Sequence, residues 1–479
     1  MEQAVTLAVF PPAALDRLAD RQLREALDYL DPAVVVVERP FHAARVRTAQ
    51  PDAPILSLSN PTDVFVTEGP GPQVVHLPEP GDFDVVRASE QDGTLDTETE
   101  TFVLAAALAV DIDLTKLETR LDGREPYEDT LRRASLTGSY THLTSNAAPA
   151  YRNDWNGLVV QGVFPGASDT DETPAGDIAA LQLYADGTVA ADTYDPGRFG
   201  LAGLDSVGPT RARTLRDAGV RTKAAVAERS VDDLRRLDGF GPASAKTVRY
   251  SAKARVDGTV YRTSTDSLPG NDPVFIDIET DGLSPTMIWL IGVYDSRTGQ
   301  YRSFMTTDPT EKGAAVTAFM EWYTETATGR PLIAYNGDGF DFPHLHDHIS
   351  QHCPEYLDAW RDAWTFDLFW WASKQGNAVL PGLTNSLDDV ASAVGWDGAD
   401  TGLSGAVVGQ RFQRWLANPC DATELDWERH RAYCEDDVRA LAHVYDAVRD
   451  ADPVPGVTRS DGPRETEQTT TTQGTLTDF

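Results

Sequence analysis

The stretch VFIDIETDGL, Val274 to Leu283, wraps an apolar run around two carboxylates, Asp277 and Glu279. Its β-branched and aromatic residues predict a strand. Strand side chains alternate between faces, so residues two apart share one, and both carboxylates emerge on the same side. Two like charges on a common half-buried face repel unless a cation lies between them, which points to a divalent metal site. Taken alone, the pair is equally compatible with an ordinary acidic strand.

Two later segments carry the matching chemistry. In LIAYNGDGFDFPHL the run Leu332 to Tyr335 predicts a second strand, and Asp341 stands just before Pro343 and a helical pattern. An aspartate there is also what a plain helix start requires. In HRAYCEDDVRALAHVYDAV the apolar residues recur at helical spacing, and Tyr433 and Asp437, at i and i+4, share one helical face. Such a pair by itself needs no function.

Together, Asp-x-Glu on a strand, Asn336-x-x-x-Phe340-Asp341 and Tyr433-x-x-x-Asp437 resemble, in order and context, the DEDD exonuclease superfamily. The resemblance is to its tyrosine branch, closest to the proofreading domain of B-family DNA polymerases, whose motifs look like FDIET, YNGDNFDFP and YCxxDA. His430 suggests the histidine branch, but the fifth residue after it is Glu435, so Tyr433 with Asp437 is the better assignment. The segment LTNSLDDVASAVGW, Leu383 to Trp396, is similar to the stretch between the second and third motifs of stand-alone ribonuclease H-like exonucleases. The residues after Val448 leave no room for a polymerase palm, which predicts a free-standing nuclease.

The resemblance implies an α/β, ribonuclease H-like 3′–5′ exonuclease domain over residues 272–450. It implies two divalent ions: Asp277 bridging them, Glu279 and Asp437 on the ion that activates water, and Asp341 supporting the second through water. Tyr433 would orient the attacking water, Leu283 would wedge against the terminal base, and Asn336 would contact nucleic acid. Bound metal can pull the pKa of water from 15.7 towards ~7. An all-carboxylate donor set suits Mg²⁺ or Mn²⁺ better than zinc.

Upstream, over residues 199–262, a pattern repeats: Leu204, Val207, Gly208, Pro209, Ala212 and Leu215 are matched by Leu237, Phe240, Gly241, Pro242, Ala245 and Val248. Each copy reads as an apolar residue, a Gly-Pro turn and a helix, and the pair resembles a tandem helix-hairpin-helix domain, all-α. Glycine lets such a hairpin approach a phosphate, and the N–H groups opening the next helix face outward as donors. Arg213 and Arg216 correspond to Lys246 and Arg249. From Leu204 to Arg262 there are 13 Lys and Arg against 7 Asp and Glu, a basic island in a chain of formal charge −34. This favours a nucleic-acid backbone contact over a plain four-helix packing module.

The acidity elsewhere, with arginine outnumbering lysine, is similar in composition to proteins of extreme halophiles. At 1 M salt the Debye length is only about 3 Å, so a negative surface does not exclude a DNA partner. At 479 residues the chain exceeds one core. Residues 1–198 form an accessory domain of unreadable function, α/β or α+β. In it VTLAVF, AVVVVERP, APILSLS, DVFVTEG and GLVVQGVF predict strands, Ala13 to Tyr29 at least one helix, and IAALQLYADGTVAADTY a hairpin. Cys353, Cys420 and Cys434 are too few and too scattered for a disulfide framework or zinc cluster. With no membrane-spanning run and no signal-like start, a soluble cytoplasmic protein is expected.

The tail, 451–479, is too polar for a core, yet ends in QGTLTDF. Gln473, Leu476 and Phe479 have the spacing of peptides that bind the sliding clamp PCNA, with one terminal aromatic where such peptides carry two. The expected function is therefore a metal-dependent, clamp-tethered 3′–5′ exonuclease acting on single-stranded DNA or 3′ ends. An RNA-processing exonuclease of the same fold and a non-catalytic DNA-binding adaptor remain as alternatives.

Overall fold

The computed structural model describes residues 4–51, 54–59, 63–65, 71–77, 83–113, 118–167, 174–399 and 401–455. Gln473, Leu476 and Phe479 lie outside the described residues. The chain forms two compact units, the first ending at Gly200 and the second beginning at Leu201.

The first unit is α/β. One sheet runs Val189–Tyr194, Ile178–Leu183, Val5–Phe10, Val34–Val37 and Ile55–Ser57, the last three parallel. The four valines of Val34–Val37 are all buried, as a parallel strand covered on both faces requires. A second sheet is built on the parallel strands Gln73–Leu77, Thr101–Asp113, Tyr140–Asn146 and Val159–Gly162. The Asp-Gly hairpin, joining Ile178–Leu183 to Val189–Tyr194, is present. Over Ala13 to Tyr29, where at least one helix is expected, there are two, Pro12–Arg17 and Asp20–Leu30. Leu18 turns extended, at φ −84° and ψ 131°, and buries its side chain. The Gln22 side chain then caps the second helix by accepting from the Ala19 amide at 2.9 Å.

The second unit opens with helices Pro209–Asp217, Lys223–Ala227, Val231–Arg235 and Pro242–Asp257. The repeated apolar positions meet in one core, with Leu204, Val207, Ala212, Leu215, Phe240, Ala245 and Val248 all buried. The repeat therefore specifies two half-cores that complete each other. Tyr261–Arg262 leaves this module to pair antiparallel with Ala378–Val379 of the domain that follows. The connecting segment is pinned, since the Tyr445 hydroxyl donates to the Pro269 carbonyl and Arg330 Nε donates to the Asp272 carbonyl at 2.8 Å.

That domain is a five-stranded sheet in the order Gln300–Met305, Ile288–Asp295, Val274–Thr280, Leu332–Ala334, Thr365–Asp367. The first two joins are antiparallel and the last two parallel, the arrangement expected of a ribonuclease H-like fold. Helices cover both faces, and the central strand shows its period of two. Val274, Ile276 and Ile278 pack with helices Ala314–Trp322 and Asp341–His352. Phe275 faces the other way, against Val438, Leu441 and Tyr445 of the long helix Trp427–Asp450. Asp277 and Glu279 continue the Phe275 face, the face covered by that helix.

Candidate metal centre and nucleic-acid interface

Asp277 pairs across the sheet with Gly292 and Glu279 with Leu290, and the register slips directly after Glu279. Asp277 is half-buried; Glu279 is only 6% exposed, and its Oε1 has no hydrogen-bond partner. Donor atoms of Asp277, Glu279 and Cys434 all lie within 4.8 Å of one another.

Asp341 opens the helix Asp341–His352 and is 5% exposed. The amide of Ile278, the residue between Asp277 and Glu279, is among the groups that favour the charged form of Asp341, so the second motif stands beside the first. Tyr433 and Asp437 project from one face of Trp427–Asp450, and each acts on the charge of the other. Burial, then mutual repulsion, governs the electrostatics. Asp277 is driven well above the carboxylate range by desolvation and by Asp341; Glu279 by desolvation, Asp277 and Asp437; and Asp437 by desolvation and Asp277. Asp341 is pushed up to about 7, chiefly by burial. The Tyr433 phenol is likewise pushed up by burial and by Asp437.

This concentration of negative charge, with a buried carboxylate oxygen left unpartnered, has the chemistry of a site for hard divalent cations. The five residues expected to act together are thus electrostatically coupled in one place.

Three contributors went unread in the sequence. Asp367, 5% exposed, accepts from the amides of Asn336 at 3.1 Å, Asp338 at 3.0 Å and Trp370 at 2.9 Å, and so holds the second-motif loop. Within that loop Asn336 sits at φ +64°, a left-handed conformation that asparagine tolerates. Asp388 adds repulsion to Asp277, Asp437 and Tyr433. Cys434 Sγ donates to Asp277 Oδ2 at 3.8 Å. Its signal was Gly292 in the middle of a strand, since a strand glycine marks the close approach of something else. A Cβ at Gly292 would lie 2.5 Å from Cys434 Sγ.

Leu283 is 66% exposed, on a loop that Asp281 fixes by accepting from the Thr286 amide at 2.7 Å and the Met287 amide at 3.1 Å. In the helical module Gly208 and Gly241 are N-caps at φ −79° and −83°, with open space where a Cβ would go. Neither needs glycine for its backbone angle. Arg213 and Arg216 are exposed and Lys246 half-buried. Arg249 departs from its expected equivalence to Arg216: its Nε donates to the Arg229 carbonyl at 2.7 Å, and its guanidinium lies over Tyr250, 5.2 Å from the ring centre.

Residues 274–449 match the RNase H superfamily, and residues 200–254 match the SAM-like helix-hairpin-helix tandem. No curated protein matches the chain. Among solved structures, a product-bound exonuclease I is 16% identical over 30% of this chain and 43% of its own, with a TM-score of 0.21. The metal-free E. coli ExoI–ssDNA complex is 15% identical over 32% of this chain and 41% of its own, with a TM-score of 0.21. Its zinc-bound form is 15% identical over 32% of this chain and 42% of its own, also with a TM-score of 0.21. This chain therefore spans less than half of each. The fold assignment rests on the strand order and the family match. Among the described residues no helix is long and apolar enough to cross a membrane.

Proposed function

We propose that residues 272–450 are a metal-dependent 3′–5′ exonuclease acting on DNA in replication or repair, with residues 199–262 holding the phosphate backbone. The observation that carries this reading is the carboxylate cluster: Asp277, Glu279, Asp341 and Asp437 are all pushed towards protonation, while Glu279 Oε1 is buried and unpartnered. A fold tolerates such repulsion where a cation relieves it.

When bound, two Mg²⁺ or Mn²⁺ ions supply a nucleophilic hydroxide and neutralise the departing 3′-oxygen. Asp277, Glu279 and Asp437 are the residues to hold them, with Asp341 assisting. Tyr433, one helical turn from Asp437, positions the attacking water. Leu283, on a fixed loop, bears on the terminal base. Arg213, Arg216 and Lys246 provide sequence-independent phosphate contacts beside the open hairpins at Gly208 and Gly241. Gln473, Leu476 and Phe479 tether the enzyme to PCNA, which raises its effective concentration at DNA.

The test uses 5′-labelled DNA and RNA oligomers of one sequence, at molar salt, with Mg²⁺, Mn²⁺ or chelator. Mononucleotides should leave the 3′ end of DNA, and only with metal. Internal cuts, or hydrolysis that survives chelation, would overturn the reading; faster loss of RNA would move it to RNA processing. For the tail, Phe479→Ala should weaken binding to purified clamp by about thirtyfold, the scale of a 2 kcal/mol aromatic anchor. Equal affinities would remove the clamp from the proposal.

A further inference from the structure

Cys434 is fully buried and has no part in the hydrolysis proposed above. It occupies the space vacated by Gly292, and from there Sγ reaches Asp277 Oδ2 at 3.8 Å. With Glu279 it completes a set of two carboxylates and one thiol whose donor atoms lie within 4.8 Å of one another. Glu279 Oε1, in a side chain only 6% exposed, is left without a partner in this cluster.

The mixture of donors matters. Hard ions such as Mg²⁺ take oxygen and ignore sulfur, whereas Zn²⁺ and its heavier congener Cd²⁺ bind thiolate strongly. A tetrahedral Zn²⁺, with bonds of about 2.0–2.2 Å to oxygen and about 2.3 Å to sulfur, sets its ligand atoms roughly 3.3–3.8 Å apart. The donors of Asp277, Glu279 and Cys434 need to close by only about 1 Å to meet that spacing.

We propose that Cys434 gives the carboxylate centre a second mode of metal binding, in which one thiophilic divalent cation is held by Asp277, Glu279 and Cys434 and excludes the hard ions required for hydrolysis. The thiol releases its proton to solvent as the sulfur–metal bond forms, with no change of oxidation state. Only the inhibitory consequence rests on the nuclease reading; the coordination stands apart from it.

Cys353 lies in a separate hydrophobic core and Cys420 is exposed, so both are removed to isolate the effect. In a Cys353→Ala/Cys420→Ser background, Cd²⁺ added without Mg²⁺ should produce an ultraviolet thiolate-to-metal charge-transfer band that saturates at one ion per chain. Adding Cys434→Ser should abolish the band and weaken Cd²⁺ at least tenfold by calorimetry. No band in the background protein, or a band that survives Cys434→Ser, would overturn the proposal. Should the serine variant fail to fold, X-ray absorption of the Zn²⁺-loaded background protein decides instead: one sulfur neighbour supports the mode, and a shell of oxygen and nitrogen alone rejects it. A charge-transfer band in a protein that hydrolyses nothing with Mg²⁺ would sink the nuclease reading and leave this one standing.

Discussion

Two buried acidic sites in the same sheet have opposite electrostatics. At the end of the strand Ile288–Asp295, Asp295 meets Arg330, whose Nη1 donates at 3.2 Å and whose Nη2 donates to the second oxygen. That bidentate guanidinium, with the amide of Arg297, holds the Asp295 carboxyl below its ordinary value despite the burial. On the neighbouring strand, the largest influences on Asp277 and Glu279 among the described residues are burial and other carboxylates, and both are driven well upward. The protein thus neutralises the Asp295 carboxylate internally and leaves the Asp277–Glu279 cluster, the proposed cation site, to repel itself.

Substituting each site should separate the two roles. Asp277→Asn should cut metal-supported hydrolysis by roughly 10³-fold or more, the scale of losing a principal electrostatic stabiliser, while raising metal-free thermal stability by removing repulsion. Retained hydrolysis, or a lower melting temperature without metal, would erase the contrast.

Arg330→Met should do the reverse, leaving a buried charge alone at a cost of about 3–5 kcal/mol in urea unfolding. A loss below about 1 kcal/mol would show that water reaches Asp295 and that the pair is ordinary.

The third comparison is in pH. With Asp341 raised to about 7, the metal-free fold keeps protons that the unfolded chain releases near pH 4, so its stability should fall as pH rises from about 4 through about 7. Saturating Mg²⁺ should remove that decline and add about 2.7 kcal/mol at a hundredfold excess over Kd. Asp295 contributes with the opposite sign: its depressed pKa supports the fold above about pH 4 and is lost below. A metal-free melting temperature that does not fall between pH 5 and 8 would refute the shifts assigned to the cluster.

The smallest effect concerns Tyr433→Phe, which deletes one hydroxyl and leaves all the carboxylates in place. Hydrolysis should fall by roughly three- to tenfold. A loss matching that of Asp277→Asn would mean that Tyr433 belongs to the metal centre itself.

Much of this was legible in the chain itself, because it depends on local spacing. The period of two in VFIDIETDGL settles that Asp277 and Glu279 share a face, and the helical spacing of Tyr433 and Asp437 does the same on the last helix. The Gly-Pro repeats lie close enough in sequence for one half-core to be read from the other. The place of the break at Leu18 was not legible, since the apolar spacing runs on through it from Ala13 to Tyr29. The roles of Asp367 and Cys434 depended on partners distant in sequence. Asp367 looks like any strand-end aspartate until three amides converge on it. Gly292 looks like a weak strand residue until the last helix brings Cys434 across it. Periodicity fixes which face a side chain takes, but only the packing of one element on another decides what it meets there.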